Sequence, residues 1–354
     1  MSYIQNKLDL KSLYLAEIEE LLAKCNEPRF RAGQVFSWLQ KGITSFDEMT
    51  NIPQNTRNYL QEIGYLTRTD IEKRLVSKID GTVKYLYKLY DGEFIESVLM
   101  KYEHGYTVCV STQVGCRMGC RFCASGINGL IRSLTASEIL SQITTAEKDN
   151  NIRVSNVVLM GMGEPLDNFD NTERFLNLVS SKEGINIGLR HISLSTCGVV
   201  SGIERLEKLN LPITLSVSLH APFDDIRNSM MPINKKWNIK ALMNACRKYQ
   251  SVTTRRISFE YALISGVNDT PECAARLYEI TKGIMCHINL IPVNPVKENT
   301  YQKPDKNKIF KFQKMLESKG LNATVRRTLG ADINASCGQL RKTVKEGNDD
   351  KDIQ

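Results

Sequence analysis

Four cysteines crowd the stretch VCVSTQVGCRMGCRFCASG, residues 108–126: Cys109, Cys116, Cys120 and Cys123. The last three form CxxxCxxC in a glycine-containing loop that follows a strand-like run. Three thiolates can wrap three corners of an iron–sulfur cluster and leave the fourth iron for an outside ligand. Structural zinc asks for four protein ligands, commonly from two close CxxC-like pairs, and no second pair follows. Cys109 stands seven residues before Cys116, on the strand itself, and would complete a zinc site only if the chain folded back. Ligand count and spacing favour the cluster over zinc. The other cysteines read differently. Cys25, Cys246, Cys273 and Cys286 lie in apolar or helical surroundings and are expected to be buried small hydrophobes. Cys197, in HISLSTCG, takes the same reading, and Cys337 is a lone cysteine near the C-terminus with no role of its own in the local pattern.

The elements that must hold these thiols show in the periodicity. From Leu10 to about Gly64 the apolar residues fall at helical spacing, as in YLAEIEELLAKC and FRAGQVFSWLQKGI, with breaks at Pro28 and Pro53. This predicts a small helical module. The period then becomes two, in KRLVSKI, TVKYLYKLY, FIESVLMKY and YTVCVST, separated by Asp80-Gly81, Asp91-Gly92 and His104-Gly105. Such dipeptides supply the positive φ of tight hairpins, so a β-meander is expected. Beyond it, strands are predicted at 107–112, 155–160, 191–196, 213–219, 256–263 and 286–291, with 323–327 as a seventh. Helical patterns fill the intervals, the first opening on the capping box Thr135-Ala-Ser-Glu138. Such alternation implies a parallel sheet, closed or partly closed into a barrel, with ligands at the carboxyl ends of its strands. There the chain places the cysteine loop, GMGEP, STCG, SLHAP and IPVNP, after strands one, two, three, four and six. Four segments are expected: an accessory module (1–66), a meander (67–106), a core (107–342) and a polar tail (343–354).

At 354 residues, 42% hydrophobic and 24% charged, the composition is globular, and no apolar run approaches the roughly 20 residues of a membrane span. The N-terminal residues lack a basic start and an apolar h-region, so a cytoplasmic location is expected. There, ten cysteines argue for metal, redox or nucleophile roles rather than a disulfide framework. Residues 1–92 hold 13 Lys+Arg and 12 Asp+Glu, so +7 of the net +8 falls beyond them. Basic pairs recur in that part: Lys235-Lys236, Arg255-Arg256, Arg326-Arg327 and Arg341-Lys342. A polyanionic partner fits this excess, and so does a solvated face.

The CxxxCxxC loop in a βα fold resembles the signature of the radical S-adenosylmethionine superfamily. Gly161-Met162-Gly163-Glu164 resembles its segment for the cofactor's amino group. MGMGEPLDN, RHISLSTCGVV, SVSLHAPFDDIRNSMMPINKK, INLIPVNP and GADINASCGQLR are together similar to the bacterial dual-specificity adenine-C2 methyltransferases, and EPRFRAGQVFSWLQKG extends the likeness into the helical module. The resemblance implies an α/β fold: a partial (β/α)6 radical-SAM barrel with a small N-terminal helical module and a connecting β-meander. It also implies a [4Fe–4S] cluster on Cys116, Cys120 and Cys123, with S-adenosylmethionine as methyl donor and radical source.

Carbon 2 of adenine is electron-poor and does not attack a sulfonium, so a radical route is required. By resemblance, Cys337 carries a methyl group and then a covalent link to RNA. Cys109 resolves that link through a transient Cys109–Cys337 disulfide, and Glu96 accepts a proton. Gly163, Glu164, Ser195, Ser218, Leu219, His220 and Asn294 match cofactor-binding positions. From the pattern alone, Glu96 is an outward residue of an alternating strand, and His220 reads equally as a cofactor contact or as a satisfied histidine at a strand end. The implied partners are 23S ribosomal RNA, transfer RNA and an electron donor such as flavodoxin or ferredoxin, with the enzyme a monomer and no membrane partner. Two rivals stand beside this reading. One is the related antibiotic-resistance methyltransferase that modifies carbon 8 of the same ribosomal adenosine. The other is a non-catalytic, zinc-stabilised RNA-binding module.

Overall fold

The computed structural model describes residues 3–4, 7–294 and 300–340. The expected polar tail, the end of the core with its Arg341-Lys342 pair, and Pro295 of IPVNP lie outside the described residues. The N-terminal module holds helices α1 (Leu15–Ala23), α2 (Phe30–Gln40) and α3 (Gln54–Ile63). It also holds a small sheet that the helical periodicity does not announce: β1 (Tyr3–Ile4), β2 (Lys7–Asp9) and β3 (Gly64–Tyr65). These strands are too short to carry a period of two, and the β2–β3 pairing joins the start of the module to its end.

A sheet of ten strands organises the rest, in the order β15-β14-β13-β12-β11-β10-β7-β6-β5-β4. Its antiparallel part is the meander β4 (Asp70–Val76), β5 (Val83–Lys88), β6 (Phe94–Tyr102) and β7 (Gly105–Cys109). The hairpin glycines Gly81 and Gly92 sit at φ +73° and +82°, as the Asp-Gly turns require. The meander is therefore continuous with the core sheet and feeds it through β7.

From β7 onward the strands are parallel: β10 (Val154–Leu159), β11 (Ile192–Thr196), β12 (Thr214–Ser218), β13 (Ile257–Leu263), β14 (Cys286–Pro292) and β15 (Ala323–Val325). The crossovers carry α4 (Ala136–Asn150), α5 (Phe169–Val179), α6 (Val200–Leu209), α7 (Asp224–Met230) with α8 (Ile239–Thr253), α9 (Pro271–Thr281) and α10 (Lys306–Ser318). The seventh parallel strand is present but ends two residues earlier than the pattern suggests. The capping box forms: Thr135 Oγ1 accepts from the Glu138 amide at 3.2 Å, and Glu138 Oε2 from the Thr135 amide at 2.9 Å. Along β11, Ile192, Leu194 and Thr196 are buried while Ser193 and Ser195 are half-buried, so the alternation puts apolar mass on one face and hydroxyls on the other.

The module docks on α4 and α5 through polar contacts. Asp9 Oδ2 accepts from Ser137 Oγ at 2.6 Å, and Arg174 pairs with Glu17 at 2.6 Å while lying 4.2 Å over the Tyr14 ring. No helix among the described residues is long and apolar enough to cross a membrane.

Candidate active site

The cysteine loop springs from a short hairpin, β8 (Gln113–Gly115) paired with β9 (Leu130–Ser133). The Cys116 amide donates to Gly129 O at 2.9 Å and the Cys123 amide to Cys120 O at 3.1 Å, so the loop is closed by its own backbone. Neighbouring elements hold its outer turn. The Arg121 amide donates to Met230 O at 2.9 Å, the Ala124 amide to Gly338 O at 2.8 Å, and Ser125 Oγ to Leu340 O at 2.6 Å. All three thiols line one cavity of about 950 Å³, mouth included. Burial pushes the Cys116 thiol up to about 12 and raises Cys120 and Cys123 as well. Buried thiols of this kind stay protonated until a metal replaces the proton.

The same cavity is also lined by Gly163, Glu164, Ser195, Ser218, His220 and Asn294. Gly163 has φ +102°, and a Cβ there would lie 2.6 Å from that of Gln113, so only glycine lets this backbone border the cavity. Glu164 is buried, and burial raises its carboxyl. Its Oε2 accepts from the Cys197 amide at 2.7 Å and its Oε1 from the Leu166 amide at 3.1 Å. This carboxylate thus also clamps the ends of β10 and β11 together. His220, at φ +57°, accepts the Ala262 amide on Nδ1 at 2.8 Å, and burial followed by the Arg227 charge pushes it down to about 3. It is a neutral ring with its proton on Nε2, edge-on to Phe122 with centroids 4.7 Å apart. His220 is a satisfied histidine on one nitrogen and also borders the cavity. Leu219 is fully buried and does not line the cavity; its carbonyl accepts from Arg227 Nε at 3.0 Å.

A second, adjoining cavity of about 570 Å³ is lined by Cys109, Met160, Asn294, Arg326, Tyr102 and Cys337, among others. Cys337, Met160, Asn294 and Arg326 border both cavities. Asn294 Nδ2 donates to Cys337 O at 3.0 Å, which holds the half-buried Cys337 where the two spaces meet. Burial, then the neighbouring Cys337, pushes the Cys109 thiol up to about 12 against the opposing pull of Arg326. The Arg326 guanidinium lies 3.7 Å from Met160 Sδ and 3.9 Å from Glu260 Oε2.

Several readings change with the tertiary context. Glu96 is 3% exposed and pairs with Lys84 at 2.8 Å. The alternation that suggested an outward side chain fails because the meander is covered on this face by the C-terminal segment, whose Asn334 carbonyl accepts from Lys84 Nζ at 3.1 Å. In phase with Val98, Met100 and Tyr102 along β6, Glu96 shares the face that borders the Cys109 cavity without lining it. Cys197 is not merely a core filler, since it lines the thiol cavity and its amide anchors Glu164. In the Arg326-Arg327 pair, Arg327 is exposed while Arg326 turns inward. Sequence reasoning passed over Arg326, Met160, Tyr102 and Lys84, and only the doubling of Arg326-Arg327 signalled any of them.

Comparison with known proteins bears on this geometry. The model of the radical SAM superfamily matches residues 110–277, and that of the ribosomal RNA large subunit methyltransferase N-terminal domain matches residues 8–66. The chain is 53% identical to a protein of Alkaliphilus oremlandii named "Probable dual-specificity RNA methyltransferase RlmN", over 95% of this chain and 98% of that one. A protein of the same name from Clostridioides difficile is 50% identical over 96% and 99% of the two chains. Among solved structures, a radical SAM methyltransferase from Sphaerobacter thermophilus superposes with a TM-score of 0.90 at 42% identity, covering 95% of this chain and 100% of that one.

Proposed function

Because the chain belongs to the RlmN family of dual-specificity RNA methyltransferases, within the radical S-adenosylmethionine superfamily, we propose that it methylates carbon 2 of adenine in two RNAs. One target is a peptidyl-transferase-centre adenosine of 23S ribosomal RNA, the other the adenosine 3′ of the anticodon in transfer RNA. The protein is a radical S-adenosylmethionine RNA methyltransferase and works with a [4Fe–4S] cluster and S-adenosylmethionine. The donor set fits the cluster: three thiols on one loop open onto a cavity also lined by hydroxyls, an amide and glycine backbone. When bound, the cluster supplies an electron that splits the sulfonium into a 5′-deoxyadenosyl radical, and a further S-adenosylmethionine supplies the methyl group.

In this reading Cys116, Cys120 and Cys123 hold the cluster. Gly163, Glu164, Ser195, Ser218, His220 and Asn294 bind and orient the cofactor, while Leu219, buried behind the cavity wall, helps to position its neighbours Ser218 and His220. Cys337 would carry the methyl group as a thioether, and one hydrogen atom of that methyl would pass to the 5′-deoxyadenosyl group. The methylene carbon would bond to carbon 2 of the adenine, and restoring the ring would send the carbon 2 proton to Glu96 and the surplus electron back to the oxidised cluster. The Cys109 thiolate then attacks the Cys337 sulfur. The bond between that sulfur and the former methyl carbon breaks with its electron pair going to this carbon, which takes up a proton to become the methyl group of the product, and a Cys109–Cys337 disulfide forms. An external thiol reductant returns two electrons before the next turnover. A base reaching this cavity must leave its stack, so the substrate is RNA with a loop or unfolded adenosine. Flavodoxin or ferredoxin would supply the electron, and the enzyme acts as a monomer in the cytoplasm, with the N-terminal module adding RNA contacts.

The observation that supports this reading is that Cys337 borders the thiol cavity on one side and shares the second cavity with Cys109 on the other. The test uses anaerobically reconstituted enzyme and both RNAs. Cys109→Ala should accumulate a protease-sensitive protein–RNA adduct that Cys337→Ala does not form, and digested product RNA should yield 2-methyladenosine by mass spectrometry. Absence of the adduct refutes the two-cysteine route, and 8-methyladenosine refutes the carbon 2 assignment.

A further inference from the structure

Arg227 of α7 is 0% exposed, and its guanidinium is almost fully used. Nε donates to Leu219 O at 3.0 Å, Nη1 to Asn234 Oδ1 at 2.8 Å, and Nη2 to Cys197 O at 2.7 Å and Ser218 O at 3.1 Å. Every acceptor is neutral. Among the described residues no carboxylate lies within salt-bridge distance of this arginine. Asp224 is linked to it through Asn234, whose Nδ2 donates to Asp224 Oδ1 at 2.9 Å. Burial disfavours the guanidinium charge, and Asp224 offsets this only from beyond Asn234, so the cation is only partly compensated and a further negative charge near it is favoured.

The surroundings say where that charge belongs. The Cys197 carbonyl that Arg227 holds lies in a wall of the thiol cavity, and the helix carrying Arg227 ends at Met230, whose carbonyl accepts the Arg121 amide next to Cys120. Cys197 and Cys120 both lie within electrostatic reach of the guanidinium, so a charge developed on the Cys120 thiol would be felt there. Four of its five N–H groups are committed, so it is not available to chelate a ligand's carboxylate or phosphate. It acts as a fixed charge.

We propose that Arg227 is the buried countercharge of the iron–sulfur cluster, a cation set behind the thiol cavity that favours the reduced cluster and raises its reduction potential. The inference rests on Cys116, Cys120 and Cys123 holding that cluster. With three thiolates, an oxidised [4Fe–4S] core is a monoanion and a one-electron-reduced core a dianion, so a nearby cation stabilises the reduced state more.

The experiment is an anaerobic redox titration of the reconstituted holoenzyme with dithionite and mediators at pH 8, followed by the electron paramagnetic resonance signal of the reduced cluster. Arg227→Gln should shift the reduction equilibrium by at least tenfold toward the oxidised cluster, a fall of about 59 mV for a one-electron couple. Arg227→Lys, which keeps the charge but loses the four-bond geometry, should retain most of the wild-type potential. Asn234→Asp leaves Arg227 in place and sets a carboxylate against it, so the potential should fall, and this variant decides if Arg227→Gln takes up no iron. Potentials unchanged in Gln and Asp variants that hold the cluster overturn the proposal, as does a Lys variant shifted as far as Gln. Wild-type enzyme that forms no reducible [4Fe–4S] cluster overturns the cluster assignment instead.

Discussion

Replacing Lys84 with Met should remove one cation that pairs with Glu96 in surroundings nearly free of water. The two side chains are 10% and 4% exposed and meet at 2.8 Å across β5 and β6. Removing one partner of such a pair costs about 3–5 kcal/mol, because the remaining charge stays desolvated and loses that compensation. At roughly 2 cal/mol/K of unfolding entropy per residue, a 354-residue chain should lose about 4–7 °C in melting temperature. The double variant Lys84→Met/Glu96→Gln removes both charges and should recover at least half of that loss. Calorimetric melts of the anaerobic apoprotein measure both quantities. The double variant also separates stability from chemistry: S-methylation of Cys337 should persist by peptide mass spectrometry while RNA methylation falls. A Lys84→Met melt within a degree of wild type refutes the burial argument, as does a double variant no more stable than the single one.

Gly163→Ala should weaken S-adenosylmethionine binding to the reconstituted enzyme by roughly tenfold or more, since a side chain at φ +102° against Gln113 strains the cavity wall by about 1–3 kcal/mol; equilibrium dialysis reads this directly. His220, pushed down to about 3 from 6.5, takes up a proton in the unfolded chain before the folded one. Its contribution is therefore present above pH 6.5 and is lost on acidification, at up to about 1.4 kcal/mol per pH unit. Urea titrations of wild type and His220→Gln should differ by that slope between pH 6.5 and 4. Asn294→Ala deletes the bond to the Cys337 carbonyl, worth about 1 kcal/mol, and should speed iodoacetamide labelling of Cys337 by roughly fivefold as that segment loosens.

Much of this protein is local in origin and therefore legible along the chain. Asp-Gly turns and a period of two announce the meander, Thr135 and Glu138 start α4 through contacts three residues apart, and each of the seven parallel strands is a short apolar run. CxxxCxxC puts three thiols within a loop's reach of one another, so the cluster site needs no distant residue to be suspected. The short β1, β2 and β3 escaped because two or three residues carry no measurable period.

What the chain cannot show by itself is which distant surfaces meet, because burial is a property of the assembled layers and not of any window of residues. Glu96 looks like a surface residue until the segment around Asn334 covers it and Lys84 neutralises it. Arg326 looks like half of a solvated basic pair until the end of the sheet turns it toward Met160 and Glu260. Cys109 and Cys337 come to share a cavity because hydrogen bonds spanning up to 215 residues, Ser125 to Leu340 and Ala124 to Gly338, fasten the C-terminal segment to the cysteine loop. Sequence alone supplies the reactive groups and the elements that carry them. Tertiary packing decides which of those groups lose their water, and loss of water is what turns an ordinary thiol or arginine into part of a site.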